Sequence, residues 1–187
     1  MSRTQYFCAA SLDGFIAEAD DTLAWLMKYQ GSFEHGEPMA GTYDRFYDGV
    51  GALVMGSTTY EFVLAEVNPW PYAGKPTWVL SSRELARPDG EDVDLRIVAA
   101  SVPDLYDEML AAAGDRDLWV VGGGNVASQF ADASLLDELL ITVVPVVLGH
   151  GKPLFDRRVP GGPLQLMGTR TFDSGMVELR YELPRGS

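Results

Sequence analysis

The chain has 187 residues, 47% of them hydrophobic, and a formal net charge of −13. That is one domain's length with enough apolar surface for a core, which excludes an intrinsically disordered chain, and the scattered acids with no offsetting basic stripe argue against nucleic acid or an anionic membrane as partner. Cys8 is the sole cysteine and His35 and His150 are the only histidines, so an intrachain disulfide and a thiolate-rich metal centre are excluded and no metal site is expected.

The first residues, MSRTQYFCAASLDG, lack the apolar core of a secretory signal, and no run approaches the roughly 18 apolar residues of a membrane span, so a cytoplasmic location is expected. Gln5–Ala10 reads as a first strand that ends at the turn Ser11-Leu12-Asp13-Gly14. A short helix is expected over Leu23–Tyr29 and a polar, Gly-rich loop over Gly31–Gly41. Thr42 caps a helix through Asp48, with Tyr43, Phe46 and Tyr47 at helical spacing. Gly49-Val50-Gly51 stops it. Ala52–Met55 is a buried strand that runs into Gly56-Ser57-Thr58-Thr59, and Tyr60–Ala65 follows as helix. Beyond the Pro-rich connection Asn68–Pro76, strands are expected over Thr77–Leu80 and Leu95–Ala99. Ser101-Val102-Pro103-Asp104 has the cap, early proline and third-position acid of a helix start, and Gly114 stops that helix after Ala113. Leu118–Val121 is a strand, Gly122-Gly123-Gly124 a tight turn and Asn125–Ala131 a helix. The β-branched run Ile141–Leu148 predicts a long strand, and alternation from Leu164 to Tyr181 about Asp173-Ser174-Gly175 predicts a terminal hairpin. Strands alternating with helices give one α/β domain over residues 1–187, with a mixed, mostly parallel sheet closed by antiparallel strands.

Three strand-to-helix junctions carry the candidate chemistry. At Val121-Gly122-Gly123-Gly124-Asn125 a buried strand ends in glycines and opens a helix, whose first amides and dipole attract an anion. The reading assigns positive φ and close phosphate approach to Gly123. A tight turn without a ligand is the alternative. The glycines are contiguous and no acid follows at the expected distance, so this is not the Rossmann fingerprint. Gly56-Ser57-Thr58-Thr59 repeats the logic with hydroxyls, which either cap the helix or bind a second phosphate. Leu80-Ser81-Ser82-Arg83 places two hydroxyls and a cation beyond a third strand end. Ligands in open α/β sheets sit at such carboxyl ends, and three together point to a dinucleotide.

Ser11-Leu12-Asp13-Gly14-Phe15-Ile16-Ala17, Val54-Met55-Gly56-Ser57-Thr58-Thr59-Tyr60-Glu61, Val79-Leu80-Ser81-Ser82 and Val120-Val121-Gly122-Gly123-Gly124 stand in the order and spacing of the dihydrofolate reductase fold. The later stretches Leu136–Leu139 and Pro145–Phe155 resemble one subgroup, the reductase domain of the riboflavin-biosynthesis deaminase/reductase and its stand-alone relatives. The resemblance spans nearly the whole chain. It implies a three-layer α/β/α domain and an NADPH-dependent reductase that passes hydride to a small polar heterocycle or carbonyl compound. By position, Ala9 and Ile16 border the nicotinamide, with the loop from Asp13 as a flap. Gly56, Ser57, Thr58 and Thr59 meet phosphates at one helix start, and Gly122, Gly123, Gly124, Asn125, Val126 and Ala127 at the other. Leu80, Ser81 and Ser82 line the adenosine side, and Arg83 pairs with a 2′-phosphate. Relatives of this subgroup commonly form homodimers.

Several positions depart from the family pattern. Ser57 replaces the basic residue that often follows Met-Gly. The acid that binds the pterin in folate reductases falls on Ala40, with Asp44 one helical turn on. Phe7 replaces the first-strand lysine of the riboflavin-pathway reductases, and no zinc-deaminase pattern is present. The catalytic candidates are therefore Asp13, which the turn also explains, and Asp44. His35 is a loop residue that could donate a proton, and His150 an exposed loop residue. Trp25 and Trp70 are read as packing residues that could wall a pocket, and Cys8 as a small core residue. Two rival readings stay open: an NADP(H)-binding protein without catalysis, and a structural domain whose glycine turns bind nothing.

Overall fold

A computed structural model describes residues 2–29 and 42–184. His35, Ala40 and the loop expected over 31–41 lie outside the described residues. Along the chain run β1 (Thr4–Ser11), β2 (Phe15–Ala17), α1 (Ala24–Met27), α2 (Thr42–Gly49), β3 (Val50–Gly56), α3 (Ser57–Glu66), β4 (Thr77–Leu80) and β5 (Leu95–Val98). Then come α4 (Val102–Ala113), β6 (Asp117–Gly122), α5 (Gly124–Asp132), β7 (Glu138–Val144), β8 (Lys152–Pro153), β9 (Gln165–Thr171) and β10 (Val177–Glu182).

One sheet has the strand order β5-β4-β3-β6-β1-β7-β10-β9, and β2 pairs with β8 separately. From β5 to β7 every neighbouring pair is parallel, while β10 is antiparallel to both β7 and β9. This is the mixed sheet with a closing hairpin expected from the alternation. None of the described helices is long and apolar enough to cross a membrane.

Period-2 alternation divides each strand between two cores. Tyr6, Val54, Leu118 and Val120 pack with Met109 of α4 and Phe130 of α5. Leu53, Met55, Val79 and Trp119 pack with Tyr60 and Val63 of α3, and with Trp70 and Tyr72 of the connection that follows it. Trp25 of α1 packs on Val144, Phe172 and Met176. Trp25 and Trp70 are thus packing residues, and neither is among the described lining of the cavity at the sheet's carboxyl edge.

Local signals set most boundaries. The Ser101 hydroxyl accepts a hydrogen bond from the Asp104 amide at 3.4 Å, and Gly114 ends α4 with φ +69°. Three expectations need correction. The strand read over Ile141–Leu148 spans Glu138–Val144 instead: Pro145 has no amide to donate, and the Val146 amide turns back to the Val144 carbonyl at 2.8 Å. The helix read over Leu23–Tyr29 is the single turn Ala24–Met27. The helix placed at Tyr60 begins at Ser57, so the three hydroxyl residues lie in its first turn and do not cap it.

At the amino-terminal edge of the sheet, the buried Glu138 carboxylate accepts hydrogen bonds from Arg180 (2.8 and 2.9 Å), Gln5 (2.8 Å) and Arg3. This network ties β1, β7 and β10 together at the edge opposite the candidate site.

Candidate functional site

At the carboxyl edge, the chain leaves β3 through α3 toward β4, and leaves β6 through α5 past β1 to β7. The two helices pack on opposite faces of the sheet, so β3 and β6 flank a topological switch point. Such points open a crevice at the sheet edge. A cavity of about 640 Å³ lies there, lined from β1, α1, β3, α3, β6, α5 and the β8 segment.

Both helix starts face it without side-chain caps. Gly56 is the N-cap of α3 and Gly123 that of α5, and neither has a side chain to accept from the first amides. The starts touch: a Cβ at Gly56 would lie 3.3 Å from Val126 Cγ2. Orphan amides and two dipole ends therefore converge on one volume. In a chain of net charge −13, this is a local attraction for anions set against a repulsive whole.

The glycines do different work from that expected. Positive φ belongs to Gly122 (+141°), whereas Gly123 has φ −81°, which any residue adopts. A Cβ at Gly123 would sit 3.6 Å from Ile16 Cδ1 and 3.8 Å from Thr59 Oγ1, filling the gap between them. Gly124 is needed for packing, because a Cβ there would meet the Pro153 carbonyl oxygen at 2.3 Å. That contact seats β8, and through it β2 and Ile16, against the start of α5.

Most of the expected residues meet at this cavity: Ala9 and Ile16, Gly56 to Thr59, Leu80, and Gly122 to Val126. Four cofactor candidates do not. Ala127 is buried in the core between α5 and the sheet, and Ser81 and Ser82 lie outside the lining. Arg83 also lies outside it and donates to both Glu61 carboxylate oxygens, at 3.1 and 2.7 Å.

Neither catalytic candidate lines the cavity. Asp44 is exposed in the first turn of α2. Asp13 accepts from the Ser11 hydroxyl (2.7 Å) and from the amides of Leu148 (3.1 Å) and Gly149 (2.7 Å). The Ser11 bond, with help from the amides, lowers its carboxyl to about 2, so it stays ionised and latches the β1–β2 turn to the β7–β8 loop. His150 is exposed on that loop. Cys8 lines the cavity wall, and burial pushes its thiol up to about 12 against a hydrogen bond from Tyr6, so it stays a neutral thiol.

Some lining residues were not foreseen. Phe7, Trp119, Val121, Phe62, Leu23 and Leu26 supply apolar lining. Phe7 and Trp119 are on one face because Gln5 pairs with Trp119 across β1 and β6, and alternation returns Phe7 to the side of Gln5. The polar rim is built from distant segments. Asn125 donates to Asp156 (2.6 Å) and accepts from Gln129 (2.8 Å), while Lys152 pairs with Asp21 at 3.4 Å. The Asn125 and Ser128 hydrogen bonds hold the Asp156 carboxyl below its usual range. No motif links these residues in sequence.

Comparison with known proteins agrees with this fold. The family model for the RibD C-terminal domain matches residues 70–178. YwjB of Bacillus subtilis (strain 168) is 31% identical over 180 residues, which are 96% of this chain and 97% of YwjB. A solved structure of a proposed riboflavin biosynthesis protein from Shewanella sp. PV-4 is 29% identical with a TM-score of 0.81, covering 98% of this chain and 99% of that one. A diaminohydroxyphosphoribosylaminopyrimidine deaminase/5-amino-6-(5-phosphoribosylamino)uracil reductase of Thermotoga maritima shares the fold at 15% identity. Its TM-score is 0.60, with 97% of this chain covering 56% of that one.

Proposed function

Since the chain belongs to the RibD C-terminal domain family, we propose that it is an NADPH-dependent reductase of a small acceptor. The observation that carries the reading is the convergence of two uncapped helix starts on one cavity. Gly56 to Thr59 and Gly123 to Val126 would hold the phosphates through backbone amides and hydroxyls. The gap that a Cβ at Gly123 would fill would admit a phosphate oxygen. Ala9 and Ile16 would flank the nicotinamide, and Leu80 the adenosine side. Arg83 stands just beyond Leu80 and would exchange Glu61 for a 2′-phosphate.

When bound, NADPH supplies a hydride. The chain's contribution is positional: β1 and β6 would present the floor on which nicotinamide and acceptor meet, and the apolar lining would keep water away. The exposed edge strand β9, with Leu166 and Met167 open to solvent, supports a homodimer as part of the same proposal.

A second reading is an NADP(H)-binding protein without turnover, favoured by the absence of both candidate acids, Asp13 and Asp44, from the described lining residues. One assay separates the two. The protein is mixed with NADPH and a panel of neutral heterocyclic and carbonyl acceptors, and loss of reduced-nicotinamide absorbance is followed against protein-free controls. Acceptor-dependent oxidation that scales with protein supports the reductase. Saturable NADPH binding with no oxidation across the panel supports the binding protein.

A further inference from the structure

One ion pair joins the two elements on the proposed adenosine side of the cavity. Ser57, Thr58 and Phe62 of α3 line the cavity, as does Leu80 at the end of β4. Gly56 and Leu80 are register partners, so α3 and the loop after β4 leave the sheet side by side. Glu61 lies one helical turn beyond Ser57 on the same face of α3. Arg83 reaches across to it from the loop, with Nη1 and Nη2 donating to the two carboxylate oxygens at 3.1 and 2.7 Å. The backbone sets where the Arg83 side chain starts: its amide donates to the Ser81 hydroxyl at 3.0 Å, and the Ser81 amide to the Val98 carbonyl at 2.9 Å. Both charged side chains are about half exposed, at 56% and 46%, so the pair contributes little to stability and either partner is free to turn away.

This geometry gives Glu61 a part in choosing the dinucleotide. Residues 57–66 and 81–94 contain two cations, Arg83 and Arg87. Arg87 donates to the Leu95 carbonyl at 3.0 Å, which leaves Arg83 as the cation of these two segments available to a 2′-phosphate. A guanidinium has five N–H donors, and Glu61 holds the end formed by Nη1 and Nη2. An incoming phosphate therefore has two routes. It displaces Glu61 from that end, and only the difference between two charged partners is gained. Otherwise it takes the free Nε edge with the carboxylate still in place. Dianion and carboxylate then stand roughly 6 Å apart, where their repulsion weakens binding by about three- to tenfold at ordinary ionic strength. Glu84, exposed and next in sequence to Arg83, adds charge of the same sign. Both routes penalise a 2′-phosphate, and neither affects a dinucleotide that carries a hydroxyl there.

We infer that Glu61 is a positioning residue that sets the choice between NADPH and NADH, acting through Arg83 to hold the preference for the 2′-phosphate down. The inference rests on the proposed dinucleotide site and on Arg83 as its 2′-phosphate partner.

The test uses the whole chain with NADPH and NADH, a pair that differs by the 2′-phosphate alone, and reads binding by calorimetry. Glu61→Gln keeps the side-chain shape and removes the charge. It is expected to raise the ratio of the NADH to the NADPH dissociation constant at least threefold, with the gain on the NADPH side. Because the pair is exposed, the unfolding temperature should stay within about 3 °C of wild type. A second readout follows Arg83 itself. Its Nε–H signal in ¹⁵N NMR, identified by its loss in Arg83→Lys, is expected to move when NADPH is added to the wild type and to stay when NADH is added. A general loosening of α3 would change both cofactors alike. An unchanged ratio in folded Glu61→Gln overturns the inference. So does weaker NADPH binding by that variant, which would mean that Glu61 supports Arg83 instead of restraining it. An Arg83 signal that ignores NADPH removes the 2′-phosphate assignment and the inference with it. Binding of neither cofactor to the wild type is a separate outcome, and it removes the dinucleotide reading beneath.

Discussion

Adjacent glycines at the start of α5 should respond in opposite ways to an added side chain. At Gly123, φ −81° suits any residue and a Cβ would make ordinary contacts at 3.6 and 3.8 Å, so Gly123→Val should fold. Its methyl groups, however, fill the gap between Ile16 and Thr59 through which a phosphate would reach the α5 amides. Losing one charge-assisted hydrogen bond costs about 1.5–3 kcal/mol, or roughly ten- to a hundredfold in Kd. At Gly124 the geometry is reversed. A Cβ there lies 2.3 Å from the Pro153 carbonyl oxygen and 2.9 Å from that of Leu154, both backbone atoms that cannot swing aside. Gly124→Ala should therefore destabilise by about 1–3 kcal/mol, lowering Tm by roughly 2–12 °C for a chain of this size. NADPH titration by tryptophan quenching, with Trp119 in the cavity wall as reporter, and thermal unfolding by circular dichroism read the two effects. Wild-type affinity in a folded Gly123→Val protein would refute the cradle. Wild-type stability in Gly124→Ala would refute the packing.

Three more outcomes follow from named contacts. Arg83→Ala should weaken NADPH by about ten- to a hundredfold while leaving NADH nearly unchanged, and parallel calorimetric titrations will show whether the preference disappears. Removing Arg3 and Arg180 together strands the Glu138 carboxylate in the core, so the double alanine variant should lose about 3–5 kcal/mol in urea unfolding; a loss below 1 kcal/mol would mean that the network contributes little. Asp13 has its carboxyl lowered from 3.8 to about 2, so its latch is fully present above the unfolded value and fades as pH falls from about 4 toward 2. Protection factors of the Leu148 and Gly149 amides, referred to intrinsic exchange at each pH, should fall over that window, and Asp13→Asn should lower them at neutral pH.

The sequence revealed most where local rules decide. Short apolar runs placed β3, β4 and β6, and the Ser101 and Gly114 signals bounded α4, because those choices depend on a few neighbouring residues. The strand read past Val144 failed because Pro145-Val146-Val147-Leu148 looks apolar enough for a strand, while proline breaks the ladder and Asp13 fixes the Leu148 amide from far away. The β2–β8 pair is too short to leave a periodic trace, yet it seats Ile16 beside Gly123. Glycine at the two helix starts was legible, but which glycine carries positive φ was not, since that depends on how β6 turns into α5. Trp119 looked like an ordinary strand residue and Phe7 stood out only as replacing a lysine of related reductases, until register put both on one face beside the cavity. Asp21, Lys152 and Asp156 come together only through tertiary contacts, beyond the reach of any spacing rule.

The central claim is that two helix starts hold one dinucleotide, and backbone amide NMR tests it most directly. Titrating NADPH into the labelled protein should shift Ser57, Thr58 and Thr59 together with Gly124, Asn125 and Val126, all along one single-site isotherm. Shifts confined to one helix start, or falling outside both, would contradict the account.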